Sequence, residues 1–322
     1  MTNTALRIGI DENGLGPRLG PLVVTAVAAN TSGGGHDRAE KPPRGAMRAR
    51  LGDSKRLVAY GDSALGEAWA RAIARRMGIE EPAGPAALVH ALSLDGAESL
   101  RAPCPSNHVA QCWGTDDESF VAEPKLVTSV ERDLAKLESQ GVAVTHAACV
   151  VTCTLRLNQG VARGLTRFHL DLHAMERLAL DTRARASVDV IATCGKVGGF
   201  DRYAAAFGPM NGRLHSVAQE GRARSEYSVP GLGRIAFVRD ADDSHLLVCM
   251  ASLVGKWVRD VLMARIVRYH RMVDPDLPDA SGYHDPVTRR FIEATRLTRK
   301  SRALPDDCFE RRAVGTEEPS LP

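Results

Sequence analysis

The chain has 322 residues, 44% hydrophobic and 25% charged, a composition that buries its own core without a disulfide framework or a structural metal. No apolar run approaches the roughly 20 residues that cross a bilayer, and 42 basic against 39 acidic residues leave a net charge of +3, too little to bind nucleic acid by overall charge. Any such contact must be local. Only seven of the 42 basic residues are Lys, which makes each lysine worth placing. The seven cysteines are an odd number, and no charged segment followed by an apolar stretch opens the chain, so reduced thiols in the cytoplasm are expected.

Leu6–Ile10 alternates toward an acidic pair, and Pro21–Ala29 is a β-rich run after a Gly/Pro turn; together they predict a hairpin. Asn30–Arg50, with three consecutive glycines and Pro42-Pro43, reads as a mobile loop. The pattern turns helical over Ala64–Arg76 and is ambiguous over Leu88–Leu100. Pro103–Pro124 is polar and reads as an insertion; its Cys104-x3-His108-x3-Cys112 has metal-ligand residue types without a recognised zinc spacing. Val142–Leu157 is a β-branched run in which alternation puts Cys149 and Cys153 on one side and His146 on the other. Leu165–Ala184 reads as a helix, Val188–Thr193 as a buried strand ending at Cys194-Gly195, and Arg234–Val238 as a strand leading into Arg239-Asp240-Ala241-Asp242-Asp243. A long helix is predicted from near His245 to about His270, and a basic helical tail from Asp285 to about Lys300. Strands alternating with helices after a hairpin indicate a mixed α/β fold.

Asp11-Glu12 ends a buried strand and precedes Asn13-Gly14-Leu15-Gly16-Pro17. Adjacent carboxylates there repel each other and are costly to bury unless a cation holds them; a hard divalent ion such as Mg²⁺ suits oxygen donors. Taken alone, the pair is better explained as a solvated turn. The glycines at 14, 16 and 20 are one position too long for a dinucleotide loop, and Pro17 and Pro21 interrupt the helix it needs.

Five segments in order resemble the type 2 ribonucleases H, the ribonuclease HII and HIII group. They are Ile8–Val27 with its Asp11-Glu12-Asn13-Gly14-Leu15-Gly16-Pro17, Asp53-Ser54-Lys55-Arg56-Leu57, the strand Val188–Cys194 before Gly195, Ala241-Asp242-Asp243 with Ala251-Ser252-Leu253-Val254-Gly255-Lys256-x-x-Arg259-Asp260, and Gly282-Tyr283-x-x-Pro286-x-x-Arg289. The resemblance implies an RNase H-like mixed β-sheet flanked by helices, with a small helical C-terminal extension. It also implies a four-carboxylate centre binding Mg²⁺ or Mn²⁺ that hydrolyses RNA in RNA/DNA hybrids or at ribonucleotides in duplex DNA. Asp11 and Glu12 fall on the first two carboxylates and Asp242 on the fourth, so these three are the expected metal ligands. Gly14 and Gly16 fit the loop that approaches the ribose, Tyr283 the tyrosine that stacks at the RNA–DNA junction, and Lys55 and Lys256 family lysines that contact phosphate or order the site. Arg259, Arg265, Arg268, Arg289 and Arg290 are expected around the phosphates.

Two departures stand out. The position of the third carboxylate is Cys194, and a thiolate is a poor partner for Mg²⁺. Asp189 lies five residues back; Asp240 is the expected replacement, since along an extended chain positions 240 and 242 point the same way, and Lys196 falls near the vacated place. Leu15 stands where the family has Arg, with Arg18 as a possible stand-in, so selectivity for single ribonucleotides is less secure than hybrid binding. The layout expected is a monomer resembling ribonuclease HII, with a catalytic domain over 1–271, loop insertions near 30–50 and 103–124, and a helical extension over 272–322. Its rivals are a non-catalytic nucleic-acid-binding homologue and another metal nuclease of the same fold.

Overall fold

The computed structural model describes residues 4–105 and 111–312; His108 and the segment after residue 312 lie outside them. β1 (Thr4–Asn13) and β2 (Leu22–Ser32) form the expected hairpin, with Ile10 opposite Ala26. The helices α1 (Gly35–Ala39), α2 (Ser54–Leu57), α3 (Ala64–Arg76), α4 (Pro85–Leu92), α5 (Gly96–Arg101) and α6 (Pro124–Ser139) come next, and α3 covers the residues its periodicity predicts. Then follow β3 (Val142–Thr152), α7 (Thr154–Ala162), α8 (Arg167–Ala186), β4 (Val190–Gly195), the hairpin β5 (Ser216–Gln219) and β6 (Arg224–Val229), and β7 (Gly233–Val238). The chain closes with α9 (Ala241–Ser244), α10 (Leu246–Arg271), α11 (Pro286–Ala294), α12 (Arg296–Ser301) and α13 (Asp306–Phe309).

The strands make one sheet in the order β3-β2-β1-β4-β7-β6-β5, in which β4 is parallel to both β1 and β7 and the remaining pairs are antiparallel. This is a mixed α/β sheet flanked by helices, as the alternation of strands and helices predicts. Strand alternation divides the core: Ile8 and Ile10 of β1 pack with Phe168, Leu172 and Met175 of α8, while Val23 and Val27 of β2 pack with α3, α6 and α10 on the other face. Gly9 makes the second face close: a Cβ there would stand 2.3 Å from the Leu247 carbonyl carbon. α10 thus lies directly on the β1 backbone.

Several local expectations are corrected. The 30–50 stretch is ordered by β2, α1 and a 3₁₀ turn over Gly45–Ala49, and Gly35 packs so tightly on Gly141 that an added Cβ would come 2.0 Å from its carbonyl oxygen. β3 stops at Thr152 and Cys153 caps α7, so the alternation of Cys149 and Cys153 does not hold. Instead Cys104, Cys112, Cys153 and Cys308 line one cavity of about 30 Å³, and all seven cysteines are free. The tail helix is broken at Thr295, whose hydroxyl bonds back to the Phe291 carbonyl oxygen at 2.8 Å. The C-terminal helices bury Phe291 and Phe309 against Leu19 and Met263, and Glu310 pairs in a β-bridge with Leu19. No helix among the described residues is long and apolar enough to cross a membrane.

Candidate active site

The C-terminal ends of β1 and β4 meet the start of α10 and the α2 turn, and there the motif residues converge. Asp11 is 6% exposed and alternates to the α10 side, where the Ser252 hydroxyl supports its carboxylate. Ser252 in turn lies 2.9 Å from Ser54 Oγ, hydroxyl to hydroxyl in a buried contact. Ser54 opens α2 behind Asp53, whose carboxylate accepts the Lys55 backbone N–H at 2.8 Å. This capping turn presents Lys55 to the acids. Asn13 completes the seam by donating to the Ser252 carbonyl oxygen at 3.2 Å. At Gly195 an added Cβ would stand 2.8 Å from Asp11 Oδ1 and 3.5 Å from Glu12 Oε2, so only a residue without a side chain fits beside the pair.

Electrostatics bind the group together. Burial, then Glu12 and Asp242, push the Asp11 carboxyl well above its ordinary value, opposed by the Ser252 hydrogen bond and Lys55. Glu12 is raised to about 8 by burial and by Asp171, and Asp242 is raised by burial and by Asp53. Burial pulls the Lys55 ammonium down, but Asp242, Asp11, Glu12 and Asp53 outweigh it and hold the pKa above the usual lysine value. Crowded acids with one cation among them are an environment that favours a bound divalent ion.

Asp171 was not anticipated. It lies on α8, is fully buried, and neither carboxylate oxygen has a hydrogen-bond partner. Its charge acts on Glu12 and the Cys194 thiol, and burial and the charge of Asp11 raise its own pKa. An unpaired buried polar group costs about 1–3 kcal/mol, and more when charged. Glu176 on the same helix is also fully buried, but accepts backbone N–H groups of Met210 at 2.7 Å and Gly208 at 3.1 Å. The signal was present in the helical period: Phe168, Leu172, Met175, Leu178, Ala179 and Thr182 face the core, and position 171 falls within that stripe.

Other expected residues go elsewhere. The chain does not continue extended at Asp240: φ is +54°, the side chain is 79% exposed, and its carboxylate pairs with Arg239 at 3.4 Å. Its charge is the least of five influences on Asp242, so the geometric premise for Asp240 replacing the lost acid fails. Lys196 is likewise spent, holding Asp201 and the Gly221 carbonyl oxygen, each at 2.6 Å. Asp189 pairs with Arg183 at 3.2 Å. Lys256 bonds Asp260 at 2.8 Å, a turn along α10. Arg265 and Arg268 both pair with Glu118, so they are structural ions rather than a phosphate surface. Arg259 is buried with its guanidinium 4.8 Å from the Tyr283 ring, which is itself 44% exposed.

The glycine loop is held from beneath. Gly14 has φ +91°, and a Cβ there would strike Arg259 Nε at 2.5 Å; Gly16 has open space beside it. The loop carbonyls bind buried Arg311, which donates to the Gly14 oxygen at 2.6 Å and the Gly20 oxygen at 2.7 Å. Arg167 reaches the Leu15 and Gly16 oxygens, both at 3.3 Å. Arg18 pairs with Glu310 at 2.6 Å and is not a stand-in for the arginine absent at Leu15, whose side chain packs on the α8-side core.

Among the described residues no three His, Cys, Asp or Glu donors form a ready-made coordination cage. The fit to a hard divalent ion rests on donor chemistry: buried, mutually repelling oxygens, two of them without any partner. No protein-family profile matches the chain, and no curated protein matches it. Solved structures similar to it include ribonuclease HII of Archaeoglobus fulgidus in its PCNA complex, 18% identical with TM-score 0.45 over 98% of both chains. The Bst ribonuclease HIII complex with Mn²⁺ is 12% identical with TM-score 0.44, over 95% of this chain and 66% of that one. Ribonuclease H2 of Pyrococcus horikoshii OT3 is 14% identical with TM-score 0.36, over 94% and 92%. The solved structures to which the chain is similar over nearly its whole length are thus ribonucleases HII, HIII and H2, at 12–18% identity.

Proposed function

We propose that the protein is a divalent-metal-dependent endoribonuclease resembling ribonuclease HII, cutting RNA in RNA/DNA hybrids or at ribonucleotides in duplex DNA. The observation that carries this is the convergence of Asp11, Glu12, Lys55 and Asp242, from three separate motifs, on one electrostatic cluster. Asp11, Glu12 and Asp242 would hold Mg²⁺ or Mn²⁺. The bound ions would supply activation of the attacking water and stabilisation of the leaving oxygen.

The remaining work falls to this chain's own groups. Lys55 tempers the repulsion among the acids and offers positive charge to a phosphate. Ser252 orients Asp11, and Gly195, lacking a side chain, leaves the room that the two carboxylates occupy. The loop at Gly14 and Gly16 and the exposed Tyr283 ring lie along one edge, joined where His284 Nε2 is 3.2 Å from the Gly16 carbonyl oxygen; this edge suits a ribose and a stacked base.

Cleavage of a labelled hybrid, and of duplex DNA with a single ribonucleotide, tests the proposal in Mg²⁺ or Mn²⁺. Wild type should cut and Asp11→Asn should lose at least about 10³-fold; activity surviving in Asp11→Asn would refute it. The second reading, a hybrid-binding protein without cleavage, is favoured by the buried thiol at Cys194. Binding without cleavage in every divalent ion would establish it.

A further inference from the structure

We propose that Asp171 is the third carboxylate of this centre, carried on α8 instead of at the end of β4, and that it ligates the divalent ion together with Asp11 and Glu12. The inference rests on the metal-centred reading above. Three observations converge on it. β4 pairs with β1 so that Cys194 sits beside Ile10, and both side chains join the core on the α8 face. Among the neighbouring charges felt by Cys194, that of Asp171 is the largest, which puts the acid next to the place where the strand lacks one. Asp171 stands on the core-facing stripe of α8, completely buried, with both oxygens free of any donor.

A structural role would show partners, as Glu176 does five residues on. A carboxylate placed among hydrophobic neighbours without donors, within reach of two further acids, is suited to a cation and to little else on the page. The two positions form an exchange in space: strand Cys and helix Asp here, in place of a strand acid. Asp240 cannot take the role, being exposed and paired with Arg239.

The test is Mn²⁺ binding by isothermal titration, with the Mn²⁺-induced shift in Tm as a second readout, for wild type, Asp171→Asn, Asp11→Asn, Cys194→Asp and the double variant Asp171→Asn/Cys194→Asp. Asp171→Asn keeps the shape of the side chain, and circular dichroism checks its fold. The expected result is a loss of affinity of at least about 10-fold in Asp171→Asn, with the metal-free Tm unchanged or raised, and recovery of most of that affinity in the double variant. Wild-type affinity in Asp171→Asn, with loss in Asp11→Asn, would overturn the role of Asp171 and leave the centre standing. Failure of the double variant to recover would overturn the exchange. No Mn²⁺ binding by wild type would overturn both this inference and the functional reading beneath it.

Discussion

Ser54 and Ser252, 198 residues apart in the chain, meet hydroxyl to hydroxyl at 2.9 Å behind Asp11. Through them the Lys55 turn and the α10 helix hold a single carboxylate. Ser252→Ala removes the donor to Asp11 and strands Ser54, so a destabilisation of about 1–3 kcal/mol is expected. Ser54→Ala should cost less, and the double alanine variant less than the sum. Urea unfolding of the four proteins measures the coupling; strict additivity would show that the contact carries no energy.

The tight contact at Gly195 makes a separate expectation. A methyl group there would lie 2.8 Å from Asp11 Oδ1, closer than real contacts allow, so the carboxylate must swing aside. Displacements near 1 Å cost about 10²-fold in rate. Gly195→Ala should therefore lose roughly that factor in kcat while its Tm changes by a few degrees at most. A fall in Tm without a fall in kcat would contradict it.

Stability of the metal-free protein should depend on pH with a defined sign. Glu12 is raised from 4.5 to about 8 and Asp11 is raised in the same direction, chiefly by burial. Between the unfolded value near 4.5 and pH 8 the native state holds more protons than the unfolded state, so stability falls as pH rises through that window. Divalent affinity should move oppositely, increasing toward pH 8 as protons leave the ligands. Thermal melts in a chelator from pH 5 to 9, alongside Mn²⁺ titrations, check both slopes.

Arg311 holds the glycine loop, giving its guanidinium to the carbonyl oxygens of Gly14 and Gly20. Arg311→Ala leaves the Gly14 oxygen without that donor and the Gly20 oxygen with only the Thr154 hydroxyl at 3.4 Å, and a loss of about 1–3 kcal/mol is expected. Arg311→Lys should rescue little, because one ammonium cannot span two carbonyls in a fixed fork. On the proposed reading, in which the loop approaches the ribose, substrate KM should rise more than kcat falls.

Thiol chemistry should be slow at the buried cysteines. Burial raises Cys149 to about 12 and Cys308 to about 11, and holds Cys112 and Cys194 well above the ordinary thiol value. Few thiolates exist at pH 8, so Ellman's reagent should modify the buried cysteines only after denaturation. Rapid native labelling of Cys194 would show that the α8 face opens.

The sequence alone determined the architecture and half of the site. The alternation of Leu6–Ile10, the β-rich run Pro21–Ala29 and the helical pattern of Ala64–Arg76 are local signals of burial, which the sequence records directly. The motif residues Asp11, Glu12, Lys55 and Asp242 were legible because each lies at a strand end or a short helical turn that local sequence marks. β5 and its hairpin were not, since all four β5 residues, Val217 included, are exposed and no face is marked by burial. Asp171 and Asp240 needed the tertiary structure for the same reason in opposite senses. Whether an acid is paired, solvated or stranded depends on what the rest of the chain brings against it: α8 carries Asp171 under Cys194 and Glu12 without a donor, while a single residue with φ of +54° turns Asp240 out to Arg239.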